Sequence, residues 1–221
     1  MKKTALILGA SGLTGSYVLQ KLIADERYDT IKLISRSKLK DQPAKVSQFI
    51  GDLLDLEQFK TDFIADEVYC CIGTTKSKTP DKTLYKKIDY GIPVSASKLA
   101  KINGIETFLV ISSIGADKNS TTFYTKTKGE MEQDVLKQNI KNTYVLRPSL
   151  IGGQRHEKRT LEHMGLKFFK VIQPLLIGPL KKYRIVKAET IATAMIHLAN
   201  SNQQQTNIIN SEDIQQLGNN N

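Results

Sequence analysis

The stretch TALILGASGLTG, residues 4–15, decides the fold. It opens on an apolar run, 5–8, and then places glycines at fixed steps, Gly9, Gly12 and Gly15. The chain continues as SYVLQKLIAD, which has helical spacing, so the unit reads as strand, tight turn, helix. In such a unit the backbone N–H groups of the turn and the helix N-terminus face an anion, usually a pyrophosphate. Gly9 permits the turn, Gly12 lets a cofactor approach the backbone, and Gly15 lets the helix pack close to the strand.

Outward from this unit the pattern alternates. Residues 13–25 put Leu13, Val18, Leu19, Leu22 and Ile23 on one helical face. TIKLIS, 30–35, reads as the second strand and ends at Arg36. At this place in dinucleotide folds an acid binds the ribose 2′-hydroxyl of NAD, and an Arg accommodates the 2′-phosphate of NADP. Ser35-Arg36-Ser37-Lys38 holds no acid. One charge-assisted hydrogen bond is worth about 1.5–3 kcal/mol, so NADP(H) is favoured over NAD(H). Residues 46–50 form a third strand leading into Gly51-Asp52-Leu53, where Asp52 is placed to accept from an adenine amino group with Leu53 against the ring. A short helix over 56–64 precedes the fourth strand, EVYCCI, 67–72. That strand ends in Gly73-Thr74-Thr75, a small-residue turn where a backbone passes close to a ribose. The loop 76–82 reads equally as solvated loop and as support for an anionic ligand. A long helical pattern over 83–102 contains Pro93, a kink or a helix start, and Asn103-Gly104 closes it. TFLVI, 107–111, is the fifth strand and ends at Ser112-Ser113; a helix over 123–138 leads to the sixth strand, 143–146, ending at Arg147-Pro148.

Strands alternating with helices predict an α/β fold, a doubly wound parallel sheet of the Rossmann type. Residues 150–182 break the pattern: GGQRHEKR is a basic loop and FFKVIQPLLIGPL a broken apolar helix. They read as a small lid that carries substrate contacts. A helix over 188–199 returns to the core, 206–209 adds a last strand, and the polar tail 215–221 frays. The chain is expected to be a single domain, 1–221, with its core over about 1–150, the lid over about 151–182 and the return over about 183–214.

Composition narrows the partners. The formal charge is +10, from 32 Lys and Arg against 22 Asp and Glu, but the excess is Lys spread along the chain. No zinc spacing, helix-turn-helix signature or aromatic RNA-binding motif accompanies it, so no specific nucleic-acid partner is expected. Cys70 and Cys71 are adjacent in an apolar run and read as reduced strand residues, which predicts a reducing, cytoplasmic location. The opening MKKTALILGASGL breaks into glycines where a signal peptide would stay apolar. Residues 168–180 contain Lys170, Pro174, Gly178 and Pro179 and cannot span a bilayer, so no membrane partner is expected. His156, His163 and His197 show no metal spacing, and no metal is expected.

The chemistry falls on Tyr124 and Lys128, a Tyr-x-x-x-Lys pair that shares one helix face. A neighbouring ammonium stabilises phenolate, which makes Tyr124 a usable proton donor or acceptor for a carbonyl/alcohol pair. Ser113 or Ser112, at the end of the preceding strand, can hold the same oxygen. The spacing alone is weak, since Tyr17–Lys21, Tyr28–Lys32 and Tyr183–Lys187 share it. Only Tyr124 follows a strand ending in serines and opens a helix beside the expected cofactor edge.

These motifs together resemble the short-chain dehydrogenase/reductase superfamily. The finer similarity is to its atypical group containing the Tat-interacting protein with oxidoreductase-like fold. LILGASGLTG, ISRSKL, CCIGTTKSK, ISSIGADKNS, YTKTKGE and VLRPSLIGG carry it, in that order, over residues 4–153. The resemblance implies a Rossmann fold that binds NADPH. It implies that Ser11, Gly12, Leu13 and Thr14 lie at the pyrophosphate and that Arg36 and Ser37 meet the 2′-phosphate. Ile72, Gly73 and Thr74 line the ribose side, Tyr124 and Lys128 form the catalytic pair, and Pro148, Ser149 and Leu150 contact the nicotinamide end. Where relatives often carry a second Arg, this chain has Ser37, with Lys38 next. The expected function is an NADP(H)-dependent oxidoreductase of a small carbonyl or alcohol. A non-catalytic, redox-sensing NADPH-binding regulator is the alternative, and a charge-driven nucleic-acid binder ranks third. On the same analogy, the helical stretch from Thr83 and the Tyr124 helix are the surfaces expected to form a homodimer.

Overall fold

The computed structural model describes residues 2–152, 183–201 and 206–219. Along these residues run β1 (Lys3–Leu8), α1 (Leu13–Ala24), β2 (Tyr28–Ser35), β3 (Val46–Ile50), β4 (Glu67–Cys70), α2 (Lys82–Lys86), α3 (Ile92–Ile102), β5 (Thr107–Ile111), α4 (Phe123–Leu136) and β6 (Asn142–Arg147). After them come β7 (Ile151–Gly152), β8 (Val186–Lys187), α5 (Ala188–Ala199), β9 (Thr206–Asn210) and α6 (Ser211–Asn219). Seven strands pair in the order β3-β2-β1-β4-β5-β6-β9, every pair parallel. The chain winds outward from β1 to β3, then returns to β4 beside β1 and winds the other way. This is the doubly wound Rossmann arrangement, with its switch point between β1 and β4.

Alternate residues of each central strand feed the two faces. Ala5, Ile7, Ile31, Leu33 and Leu109 pack with Val18 and Leu22 of α1, Ile191 and Met195 of α5, and Ile214 of α6. Leu6, Leu8, Ile34, Val68 and Val110 pack with Leu99 of α3, Met131 and Val135 of α4, and Phe59 and Phe63. Burial on both faces is why these strands read as unbroken apolar runs.

Three expectations need correction. The segment 56–64 is no helix but a single 3-10 turn, Leu56–Phe59. Phe59 and Phe63 plug into the core, and the carbonyls of Lys60 and Phe63 accept from the Asn103 side chain at 2.9 and 2.6 Å. The long helix over 83–102 is interrupted by a π turn, Lys87–Gly91, with Pro93 in the first turn of α3. Proline has no N–H to offer the carbonyl four residues back, that of Asp89, and a widened turn absorbs the mismatch. The tail is α6, not a frayed end. Ile214 is fully buried, and a Cβ on Gly218 would stand 2.3 Å from Thr190 O, so α6 lies directly on α5. The short parallel pair β7–β8, absent from the expectations, sets Ile151 against Val186 and Gly152 against Lys187. Most of the expected lid, including the loop Gln154 to Arg159, His156, His163 and the apolar stretch 168–180, lies outside the described residues. Among the described residues no helix is long and apolar enough to cross a membrane.

Candidate cofactor and active site

Because the strands are parallel, their carboxyl ends share one edge, and the expected site residues follow those ends: Gly9 after β1, Arg36 and Ser37 after β2, Asp52 after β3, Gly73 after β4, Ser112 and Ser113 after β5, Pro148 after β6. Gly9 has φ +85°, and a Cβ on it would meet Cys71 O at 2.9 Å, so both conformation and space demand glycine. Gly12 N donates to Gly9 O at 2.9 Å and closes the turn. A Cβ on Gly15 would stand 2.1 Å from Gly9 O, which brings α1 hard against the turn. Gly12 precedes α1 with no side-chain cap, and the first turn carries no acid. The N–H groups and partial positive charge of the helix start are therefore left for an outside acceptor. Ser11 and Gly12 are exposed there, Leu13 is half-buried and Thr14 is buried.

Arg36, Ser37 and Lys38 are exposed, on a loop pinned by Ser35 Oγ donating to Ser37 O at 2.9 Å. Asp52 is exposed and accepts from Leu54 N at 3.0 Å. Leu53 is buried in the core with Leu56 and Phe59, whereas Leu54 is 46% exposed. Ile50 and Leu54, both 46% exposed, are open apolar side chains near this end, whereas Leu53, the one expected against adenine, is buried.

At the other half of the edge, Lys128 is buried and its Nζ lies 2.8 Å from Asp89 Oδ1. It also donates to Ile111 O at 3.4 Å. Asp89 is buried too, and its Oδ2 accepts from Thr74 N at 2.7 Å. Burial opposes the Lys128 charge, but the Asp89 carboxylate outweighs it, and the ammonium is held above its ordinary range. Burial pushes the neighbouring Cys70 thiol up to about 12, so it stays an inert thiol. Ile72 is half-buried and Gly73 exposed; Thr74 Oγ1 lies 2.9 Å from Thr79 Oγ1.

The hydroxyls of Ser112 and Ser113 are buried and have no partner among the described residues. Their loop is tied down at both ends: Ser112 N donates to Leu146 O at 2.7 Å and Ile114 N to Pro148 O at 2.9 Å. It then lies on α4, where a Cβ on Gly129 would collide at 2.2 Å with the backbone of Asp117 and Lys118. Arg147 grips Glu132 of α4 with two donors, Nε to Oε1 at 2.9 Å and an Nη to Oε2 at 2.5 Å. These contacts fix α4, and with it Tyr124 and Lys128 one turn apart. Tyr124 is 39% exposed, its ring edge-on to Tyr85 at 6.2 Å. The Tyr85 hydroxyl is buried with no partner among the described residues, and burial, with Asp89 and Tyr124 close by, keeps it protonated. Pro148 is buried, Ser149 Oγ donates to Arg184 O, and Leu150 is exposed. Of the other Tyr-x-x-x-Lys pairs, Tyr17 packs against the core from α1 and Tyr28 is buried at the start of β2, at the opposite edge; Tyr183 is exposed.

Asp89 and Tyr85 were missed in the sequence. A signal existed: Tyr85, Asp89, Ile92, Ala96 and Leu99 follow helical spacing on one buried face, so Asp89 is a carboxylate on an apolar stripe.

The donor set fits a dinucleotide: an uncapped helix start, Gly9 and Gly15 with their Cβ positions blocked by backbone after β4 and by the turn, and unpaired hydroxyls along the same edge.

Comparison with known proteins agrees. A family model described as NAD(P)H-binding matches residues 9–168. The protein FMP52, mitochondrial, of Candida albicans is 34% identical over 168 residues, covering 72% of this chain and 71% of the relative. HTATIP2 of Rattus norvegicus is 33% identical over 171 residues, covering 76% of this chain and 70% of the relative. The crystal structure of the Bordetella bronchiseptica enzyme WbmG in complex with NAD superimposes with a TM-score of 0.71 at 15% identity, covering 95% of this chain and 72% of that one.

Proposed function

Starting from the fact that the chain belongs to the NAD(P)H-binding family, we propose that it is an NADP(H)-dependent oxidoreductase acting on a small carbonyl or alcohol. The observation that carries this reading is the convergence of Tyr124, the Lys128–Asp89 pair and the unpaired Ser112 and Ser113 hydroxyls on the edge that holds the glycine turn. Gly12 and the start of α1 hold the pyrophosphate, and Arg36 pairs with a 2′-phosphate. A bound reduced nicotinamide supplies a hydride. Ser113 holds the carbonyl oxygen by a hydrogen bond, and Tyr124 gives that oxygen its proton as the carbon is reduced. Lys128 favours the phenolate left behind and hydrogen-bonds the ribose. The sequence expectation of a cytoplasmic protein is kept together with the mitochondrion, named for the Candida relative; cell fractionation separates the two.

The test is a titration with NADPH and NADH on the wild type and Arg36→Ala, followed by a carbonyl panel with Tyr124→Phe as control. The expected result is tighter NADPH binding, loss of that preference in Arg36→Ala, and loss of turnover but not of binding in Tyr124→Phe. Tight NADPH binding with no turnover on any carbonyl would replace the enzyme by the redox-sensing regulator. No binding of either nucleotide would end both readings.

A further inference from the structure

The Asp89–Lys128 pair lies where the nicotinamide half of a dinucleotide belongs. In a doubly wound sheet the adenosine half follows the strands on one side of the switch point, here β1 to β3, and the other half crosses β4 to β6. Asp89 reaches the turn after β4 through Thr74 N, and Lys128 reaches the end of β5 through Ile111 O. Gly73 lies over both: a Cβ on it would come 3.7 Å from Asp89 Oδ1 and 3.9 Å from Lys128 Nζ, and Gly73 itself is exposed. The pair is thus dry, and the exposed Gly73, which has no side chain, lies against it at the open edge. At 2.8 Å the two charges nearly cancel when felt from that edge. Removing either leaves a whole charge in a place where water and salt screen poorly. Oxidised nicotinamide carries one positive charge more than reduced nicotinamide, so an uncompensated charge here distinguishes the two and a balanced pair does not.

We propose that Asp89 sets the relative affinity of the site for oxidised and reduced cofactor by cancelling the charge of Lys128 beside the nicotinamide. The inference rests on the cofactor reading above. The groups facing Lys128 are Asp89 from the π turn, Tyr124 from α4 and Cys70 from β4, and Asp89 also faces Tyr85 of α2. Burial keeps the Cys70 thiol and the Tyr85 phenol protonated, so the balance of charge rests on the carboxylate and the ammonium. Asp89 is a positioning and tuning residue: it also ties the turn after β4 to the helix that bears Tyr124.

The test needs no substrate. Calorimetric titration of the full chain with NADP⁺ and NADPH gives the ratio of their dissociation constants, with NAD⁺ and NADH replacing them if these bind more tightly. Asp89→Asn, read at pH 6.5 to keep the ammonium charged, is expected to raise Kd(oxidised)/Kd(reduced) about tenfold, the effect of one charge at partial screening. Lys128→Met, compared with the wild type at one pH, is expected to lower it, and the double variant to return it within about twofold of the wild type. If Asp89→Asn does not fold, the fall in Lys128→Met and its recovery in the double variant decide the matter. A merely structural Asp89 would change thermal stability and leave the ratio in place, and that result overturns the proposal. A wild type that binds neither nucleotide instead overturns the cofactor reading, and this inference with it.

Discussion

Gly12 and Gly15 stand three residues apart in the same turn, and adding one methyl to each should separate folding from binding. A Cβ on Gly15 would sit 2.1 Å from Gly9 O, 2.8 Å from Gly9 C and 3.1 Å from Ala10 Cα. All three are backbone atoms, so nothing can swing aside, and α1 has to move by about an ångström, from 2.1 Å toward ordinary contact. Overpacking of this kind costs about 3 kcal/mol at its upper end, and the better helix propensity of Ala returns about 1 kcal/mol. The net loss of about 2 kcal/mol lowers Tm by roughly 4–8 °C in a chain of this length. Gly12 differs. Its φ of −79° suits any residue, and its added Cβ would meet only Gly9 O, at 3.1 Å. Gly12→Ala should therefore cost less than about 1 kcal/mol, most of it from a poorer N-cap. The methyl, however, stands between the uncapped helix start and an incoming phosphate, and each charge-assisted hydrogen bond lost is worth about 1.5–3 kcal/mol, or roughly ten- to a hundredfold in affinity. Differential scanning fluorimetry and NADPH fluorescence titration read the two effects. Gly12→Ala binding NADPH like the wild type would refute the placement of the pyrophosphate, and Gly15→Ala melting like the wild type would refute the close seating of α1.

Glu67→Gln should lower the stability measured in urea by about 3 kcal/mol, because it strips a buried carboxylate from Lys3, Tyr28 and Tyr69; NADPH affinity should stay unchanged, since this cluster sits at the amino edge of the sheet. Ser113→Ala should leave urea stability unchanged or slightly higher, as its buried hydroxyl has no partner among the described residues to lose; a loss above about 1 kcal/mol would show a bond that the arrangement does not contain. In acid, the hydrogen bond from Arg27 holds the Asp25 carboxyl below its ordinary range, and those from Lys137 and Tyr90 do the same for Asp134. A lowered folded pKa adds stability above the unfolded value of about 3.9, and that stability is lost as pH falls through the folded pKa. Thermal melts of Asp25→Asn and Asp134→Asn below about pH 4 should thus show a shallower acid limb than the wild type.

The sheet was legible because its strands are buried on both faces, so each appears as an apolar run between turn residues, and because the glycine turn carries its own steric logic. What was hidden depends on contacts distant in sequence. The 3-10 turn Leu56–Phe59 follows from two phenylalanines seeking the core and from Asn103, forty residues on, taking the carbonyls that a helix would use. The last helix looked like a polar tail because only Ile214 and Leu217 are apolar; Glu212 and Asp213 in its first turn were the missed signal. At the site, Tyr124, Lys128 and the serines could be picked from strand-end context. Asp89 could not be paired with Lys128, since the partnership arises only when the π turn before Pro93 brings the carboxylate under the turn after β4. Leu53, expected against an adenine ring, is instead turned into the core, because in a strand-end loop the core takes whichever leucine faces it.

Two groups of buried polar side chains, one at each edge of the sheet, are treated differently by the fold. At the amino edge, Glu67 accepts from Lys3 at 2.6 Å and from Tyr28 and Tyr69 at 2.7 Å each, while Asn200 donates to Tyr28 at 2.7 Å and accepts from Lys3 at 2.9 Å. There the fold closes a buried network within itself. At the carboxyl edge the same fold leaves the buried hydroxyls of Ser112, Ser113, Tyr85 and, after β9, Ser211 without partners among the described residues, and an α1 start without a side-chain cap. An unpaired buried polar group costs about 1–3 kcal/mol, a cost that a bound ligand able to pair with these hydroxyls would offset. Groups held unpaired and in place do not have to be reorganised when a ligand arrives, which is what the proposed hydride transfer with proton delivery would require of its donors. The Asp89–Lys128 pair is the exception on that edge: its charges are met, and by the argument above that balance keeps the site even-handed between the two forms of its cofactor.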